Sequence, residues 1–157
     1  MDLIQTQLIE SLDEISQIIF KAIEIDSCLD DVMKSVRKIF IFDNVVLYLN
    51  QKDTQLEPKY ARAVGRGRSS ETDLAWGEAI AKDSLRKNEV ITRKEIDGNY
   101  VKNRMRLRYF IALPLSSDHE QFGSLVFVRY GGPPYQNDQT KLCKLIASKI
   151  TYLLDRI

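Results

Sequence analysis

The fold is decided by residues 109–128, which have the sequence YFIALPLSSDHEQFGSLVFV. Two nearly continuous apolar runs, 109–115 and 122–128, flank a polar turn at 116–120. Antiparallel strands usually alternate apolar and polar residues, because one of their faces meets water. Neighbouring strands without that alternation must be covered on both faces. The stretch therefore predicts a hairpin in the middle of a sheet, with helices or a ligand-holding lid on each side.

The rest of the chain predicts the elements that surround this hairpin. The spacing of apolar residues indicates helices at 3–24, about 27–40, 76–87 and 137–157. Shorter runs indicate strands at 44–49, 56–64 and 89–92, with residues 93–103 mostly in a loop. Asp26 or Ser27 is expected to cap the second helix, and Asn137 or Asp138 the last. This order defines the α+β class, with a central antiparallel sheet of five or six strands flanked by helices.

Composition bounds the class of protein. A chain of 157 residues with 44% hydrophobic residues and a net charge of +1 predicts one globular domain without a bias toward nucleic acid or membrane. No apolar run reaches the ~20 residues of a membrane span, and the first residues lack a basic signal-peptide start, which predicts a cytoplasmic protein. Cys28 and Cys143 lie in helical patterns and are expected to be buried thiols, with a disulfide or redox pair as the alternative.

Four segments, in their order along the chain, resemble the GAF domain, a relative of the PAS sensor fold. They are 28–40 running into 45–49, 76–81 followed by 86–91, 111–115 with its internal proline, and 123–127 before 135–138. The resemblance covers the whole chain and implies a single domain over 1–157. It further implies a signalling or dimerisation helix over 1–25 and a C-terminal helix over 136–157.

The family resemblance leaves the ligand open, because GAF domains bind cyclic nucleotides, bilins, haem, small effectors or nothing. Cys28 and Cys143 fall in flanking helices, which argues against a covalent bilin. His119, the single histidine, falls in a hairpin turn and is a poor haem ligand. The chain lacks the pocket cysteines of the family's methionine sulfoxide reductases, and no nucleophile and base are suitably spaced. These observations predict a non-catalytic domain without a cofactor or metal.

A basic segment suggests how a ligand could be held. Residues 86–108 contain eight basic and three acidic side chains, and Arg104, Arg106 and Arg108 alternate as on one face of an extended strand. Such a face either binds a carboxylate or phosphate or simply protects an edge strand by its charge. The resemblance places this segment at the edge of the pocket, with an apolar wall of Trp76, Ile80, Tyr109, Ile111 and Leu113. Few interleaved aromatic residues and the low net charge disfavour nucleic acid.

The first helix carries a possible dimer seam. Leu8, Leu12, Ile15 and Ile19 have the 4-3-4 spacing of a coiled coil, although a helix lying on its own sheet has the same pattern. We expect these residues, with Leu145 and Leu153 of the last helix, to form a homodimer. The predicted function is a sensory domain that binds a small molecule, with an anion as one option, between the sheet and a lid at 70–108. We expect an output domain, a kinase, cyclase or regulator, outside this chain; the alternative function is a ligand-free dimerisation scaffold.

Overall fold

The computed structural model describes residues 2–51, 55–65, 73–96 and 107–157. These residues form four helices: α1 Leu3–Lys21, α2 Ile25–Val36, α3 Glu78–Lys87 and α4 Asn137–Arg156. They also form five strands: β1 Asn44–Asn50, β2 Leu56–Ala63, β3 Ile91–Ile96, β4 Leu107–Ser116 and β5 Gln121–Tyr130. Residues Arg104 and Arg106 of the predicted basic face lie outside the described residues.

The five strands form one antiparallel sheet in the order β2-β1-β5-β4-β3. The predicted hairpin is β4 and β5, and both are interior strands. Residues 123–130 of β5 are buried without interruption, because helices cover both faces of the sheet. This arrangement confirms the predicted α+β class with a central antiparallel sheet.

Side chains from the two faces of the sheet form two separate apolar clusters. The larger cluster packs β1, β4 and β5 against α1, α2 and α4, and it contains Ile111, Leu113 and Phe127. The smaller cluster packs the alternate residues of the same strands against α3. Successive side chains of a strand point to opposite faces, so each of the central strands contributes to both clusters.

Some element boundaries differ from the predictions. The strand expected at 89–92 is β3, which extends to Ile96 because it pairs with β4 from Ala112 back to Leu107. Its last four residues, RKEI, fall in the segment 93–103 that was predicted as mostly loop, but alternate ones are half-buried in the sheet. The N-cap of α2 is Glu24, two to three residues before the predicted caps, and α4 is capped by a box of Gln136 and Gln139.

The first and last helices lie side by side and run parallel. Lys149 Nζ donates to Ser16 Oγ at 2.6 Å, and two turns further along α4 Arg156 donates to the carbonyls of Ile19 and Ala22. Cys28 and Cys143 are buried, free thiols on this side of the sheet, as predicted. None of the described helices combines the length and the apolar character that a membrane span requires.

Candidate functional site

The smaller cluster surrounds the candidate site, on what we call the α3 face of the sheet. Its floor consists of inward side chains from three strands: Val46, Tyr48, Phe110, Ala112, Val126, Val128 and Tyr130. Ile80 of α3 packs on this floor. Trp76, from the turn before α3, lies against Phe110 with 6.1 Å between ring centroids. An apolar floor with an aromatic wall therefore adjoins the start of α3.

The turn before α3 is held to the sheet by Tyr48. The buried hydroxyl of Tyr48 donates to the carbonyl of Leu74 at 2.6 Å and accepts from the amide of Gly77 at 3.0 Å. A Cβ added at Gly77 would lie 3.0 Å from Val126, so glycine lets the backbone approach the floor closely. Tyr48 and Gly77 together fix the height of Trp76 above the sheet.

A second polar contact fixes the middle of α3. Ser84 Oγ and Ser124 Oγ are 2.8 Å apart, and both side chains are fully buried. Ser84 also donates to the carbonyl of Ala81. A buried hydroxyl needs a hydrogen-bond partner, so the pair sets α3 in one register over β5.

Buried polar groups lie at the end of the α3 face that α3 does not cover. Asn44, at the start of β1, is 1% exposed, and its Nδ2 is 3.5 Å from the hydroxyl of Tyr130. Its Oδ1 is buried and has no hydrogen-bond partner among the described residues. Leaving a buried acceptor unpaired typically costs about 1–3 kcal/mol. The site therefore presents an acceptor that a donor from a bound molecule would satisfy.

Arg108 provides positive charge beside this acceptor. Its guanidinium lies over the ring of Phe110, 5.2 Å from the centroid, and Nη2 is 3.3 Å from Glu95 Oε2. Arg108 pairs with Tyr130 across β4 and β5, which places the two side chains next to each other on the same face. Arg108 is thus oriented by an aromatic ring and a carboxylate of the edge strand.

Part of the predicted basic surface is neutralised within the domain. Arg93 of β3 donates to Asp83 of α3, and Arg86 contacts the same carboxylate at 3.2 Å. The hydrogen bond from Arg93 lowers the pKa of Asp83. These pairs tie the edge strand to α3, which favours a structural role for Arg93 over ligand binding.

The structure divides the predicted pocket wall between the two faces. Trp76, Ile80 and Arg108 lie on the α3 face, as expected. Ile111 and Leu113 lie in the larger cluster on the opposite face, and Tyr109 alternates with Phe110 onto that face as well. This part of the prediction is corrected: a continuous apolar run hides the alternation of a strand that is covered on both sides.

The sequence interpretation missed four side chains of the site. They are Asn44, Tyr48, Phe110 and Tyr130. Strand alternation starting from Arg108 would have found Phe110. The polar residue at the start of the buried run 44–48 was a signal for Asn44. Nothing in the local sequence indicates that the hydroxyl of Tyr48 reaches the turn before α3, since that contact joins positions 26 residues apart.

The predicted dimer seam is mostly internal. Ile15, Ile19 and Leu153 are buried in the larger cluster of their own chain, and Leu12 packs against it. This part of the prediction is corrected, since a fully buried side chain cannot contact a second copy. The 4-3-4 spacing instead matches the contacts of α1 with α2 and α4. Leu8 is half-buried and Leu145 is exposed, so only these two remain available.

Nucleophilic chemistry has little support among the described side chains. Burial raises the pKa of both Cys28 and Cys143, which keeps the thiols protonated and unreactive. The described part of the chain contains no cluster of three or more histidine, cysteine or acidic residues that could hold a metal ion. The α3 face offers hydrogen bonding, aromatic contact and charge, which are the requirements of binding.

Comparison with known proteins identifies the class. The family model described as GAF domain matches residues 24–152, and the chain therefore belongs to the GAF domain family. No curated protein sequence matches the chain significantly. The family match confirms the resemblance inferred from the order of the sequence segments.

Solved structures share the fold at low sequence identity. The nlh2 GAF domain of A. aeolicus in an inactive state is 11% identical, covers 98% of both chains and has a TM-score of 0.70. The GAF domain of a putative sensor histidine kinase from Pseudomonas syringae pv. tomato is 13% identical, with coverage of 97% and 89% and a TM-score of 0.64. A free methionine-R-sulfoxide reductase from Neisseria meningitidis, solved with its substrate, is 13% identical, with coverage of 99% and 92% and a TM-score of 0.70. The last similarity shows that this fold also supports enzymes.

Proposed function

We propose that this chain is a non-catalytic sensory or regulatory domain that binds a small molecule on the α3 face. The observation that carries the proposal is the buried Oδ1 of Asn44 beside Tyr130, which has no hydrogen-bond partner among the described residues and lies on the aromatic-walled floor beyond α3. A ligand N–H or O–H would satisfy that acceptor, and an anionic group would pair with Arg108. Membership of the GAF family and the similarity to the sensor histidine kinase domain support the class.

The alternation of the central strands suggests how binding would be transmitted. Phe110 and Val128 line the α3 face, whereas their neighbours Ile111 and Phe127 pack against the helices of the opposite face. A ligand that displaces β4 or β5 would therefore shift the packing beneath α4. Packed cores have discrete arrangements and do not deform continuously, so a small displacement is a suitable signal.

We further propose that a homodimer forms through exposed parts of the two parallel terminal helices. Phe20 of α1 is 71% exposed, and Leu145 and Tyr152 of α4 are 51% and 53% exposed. A shallow groove of about 340 Å³ separates the two helices, lined by Ser16, Phe20 and Tyr152 among others. Apolar side chains on both rims of a groove suit a second copy of the same surface. A cytoplasmic location stays a prediction.

Ligand binding is tested through Trp76, which is the single tryptophan of the chain. Native mass spectrometry of the purified protein would detect cargo, and Trp76 emission would report titration with cyclic nucleotides, amino acids and 2-oxo acids. A ligand found in this way should bind at least tenfold more weakly to Asn44→Ala, while Asn50→Ala, exposed on the same strand, should bind normally. No cargo and no change in emission would favour the scaffold function.

The dimer is tested by light scattering after chromatography. Phe20→Asp combined with Leu145→Asp should convert a dimer to a monomer, because each charge would be buried at the interface. Ile96→Asp is the matched control, since Ile96 is 69% exposed at the opposite edge of the sheet. A monomeric wild type, or a double variant that stays dimeric, would contradict this interface.

A further inference from the structure

A groove that the proposed function does not use lies between α4 and the edge of the sheet. At this edge β4 continues beyond the end of its pairing with β3, which is the pair Ile91 and Ala112. The groove has a volume of about 690 Å³, within the roughly 300–1,000 Å³ that is usual for small-molecule sites. Its apolar lining comes from Val90, Leu113 and Ala147, which belong to the larger cluster or pack against it. A ligand of metabolite size would fit along this groove.

The hydroxyl groups that line the groove have already donated their protons within the domain. Thr140, Ser148 and Thr151 each donate at 2.8 Å to a main-chain carbonyl one turn earlier. Ser116 of β4 donates to Asn88 Oδ1 at 2.9 Å. A hydroxyl has one proton and two lone pairs, so these groups can only accept from a ligand. The groove therefore favours a ligand that carries several O–H or N–H donors.

Charged side chains lie on both walls of the groove. Lys141 and Lys144 are on α4, and Glu89 is on the other wall, just before β3. All three are exposed, and none forms an ion pair with another of the described residues. Residues three apart on a helix are neighbours, so one anionic group can contact both ammonium groups. The two oxygens of a carboxylate can accept side by side, which suits adjacent hydroxyl groups of a ligand.

We propose that this groove binds an anionic polyol, the class that contains sugar phosphates and sugar acids. Lys141 and Lys144 would hold the phosphate or carboxylate group. Glu89 and the hydroxyl oxygens of the groove would accept from the sugar hydroxyls, and Val90 and Leu113 would contact its C–H surface. A neutral sugar would leave both lysines unpaired, and a simple anion would leave the acceptors unused. None of the described residues that line the groove belongs to the floor of the α3 face, so the two sites are separate.

The test is isothermal titration of the whole chain with glucose 6-phosphate and with gluconate, at constant ionic strength set by sodium chloride. Glucose, inorganic phosphate and acetate are titrated as the separate halves of these ligands. At least one of the two anionic polyols should bind in a saturable way, and at least about tenfold more tightly than any of the halves. Binding of glucose 6-phosphate alone identifies phosphorylated sugars, and binding of gluconate alone identifies sugar acids.

Two substitutions test the two walls of the groove. Lys144→Gln should raise Kd about tenfold, because it removes one of the two cations that contact the anion. Glu89→Gln removes a negative charge and would tighten binding at a surface that attracts anions by charge alone. In the proposed site it exchanges an acceptor oxygen for a donor and should instead raise Kd about threefold. Lys59→Gln, exposed on β2 at the opposite edge of the sheet, is the matched control and should bind as the wild type does.

The substituted side chains are all exposed, so each variant should fold, and a urea titration checks this. Absence of saturable binding of both anionic polyols would overturn the proposal. Binding of inorganic phosphate or acetate as tight as that of the polyol would overturn it as well, as would an unchanged Kd in Lys144→Gln. Tighter binding to Glu89→Gln would also contradict it, because that result indicates a surface that attracts any anion.

Discussion

We expect the hydroxyl of Tyr48 to make a large contribution to the free energy of unfolding. Tyr48→Phe removes one oxygen and leaves the fully buried ring in place. Two backbone groups lose their partner at once: the carbonyl of Leu74 at 2.6 Å and the buried amide of Gly77 at 3.0 Å. No side chain caps α3, so no neighbouring group replaces the lost acceptor.

The magnitude follows from these two contacts. A hydrogen bond contributes about 0.5–1.5 kcal/mol net, and an unsatisfied buried amide adds a penalty of about 1–3 kcal/mol. We expect Tyr48→Phe to lower the free energy of unfolding by about 2–3 kcal/mol. For a domain of this size, that change lowers Tm by roughly 4–12 °C.

Urea unfolding measures the change directly, and hydrogen exchange localises it. The exchange rate of the Gly77 amide should rise at least tenfold relative to amides in β5. Tyr152→Phe is the matched control, because Tyr152 is 53% exposed on α4 and its loss of a hydroxyl should stay within about 0.5 kcal/mol of wild type. If Tyr48→Phe were as stable as Tyr152→Phe, the turn before α3 would not depend on this hydroxyl.

Three further changes probe the scaffold. Hydrogen bonds from Arg62 lower the pKa of Asp30, so this pair stabilises the fold above the ordinary aspartate pKa and loses that effect as pH falls through the lowered one. Asp30→Asn should therefore flatten the loss of stability below about pH 4, by less than about 1 kcal/mol because the pair is partly exposed. Gly123→Ala should cost more than about 4 kcal/mol or prevent folding, since its Cβ would lie 1.9 Å from a β1 carbonyl oxygen. The yield of soluble protein and a urea titration would measure this loss. Ser84→Ala and Ser124→Ala should each cost about 1 kcal/mol. The double variant should cost less than their sum, because the second change removes a buried hydroxyl that the first change has already deprived of its partner; additive costs in the double-mutant cycle would contradict that coupling.

The sequence predicted the fold well because its decisive pattern is local. The apolar runs of β4 and β5 required cover on both faces, and the segment order then led to the GAF family. The assignment of side chains to faces could not be predicted as well. Both faces of β4 are apolar, so the run that contains Ile111 and Leu113 does not indicate which of its residues face α3. That choice is set by pairing between strands.

The misplaced dimer seam has a related physical cause. A 4-3-4 spacing indicates that one stripe of α1 is buried, but it does not indicate which element or chain covers that stripe. α2 and α4 bury Ile15 and Ile19 within the same chain. The extent of β3 was also missed, because its charged residues Arg93 and Glu95 pair with Asp83 and Arg108. Such pairs become visible only when the strand and helix are placed together.

The parallel contact between α1 and α4 has a mechanical consequence. α4 has 20 residues and is therefore about 30 Å long, and its final turn lies beside the final turn of α1. A polypeptide segment joined ahead of α1 and another joined behind α4 would thus emerge from opposite ends of the domain. Domains of this kind could follow one another along a line, and a rotation or axial displacement of the helix pair in one domain would be transmitted to the next.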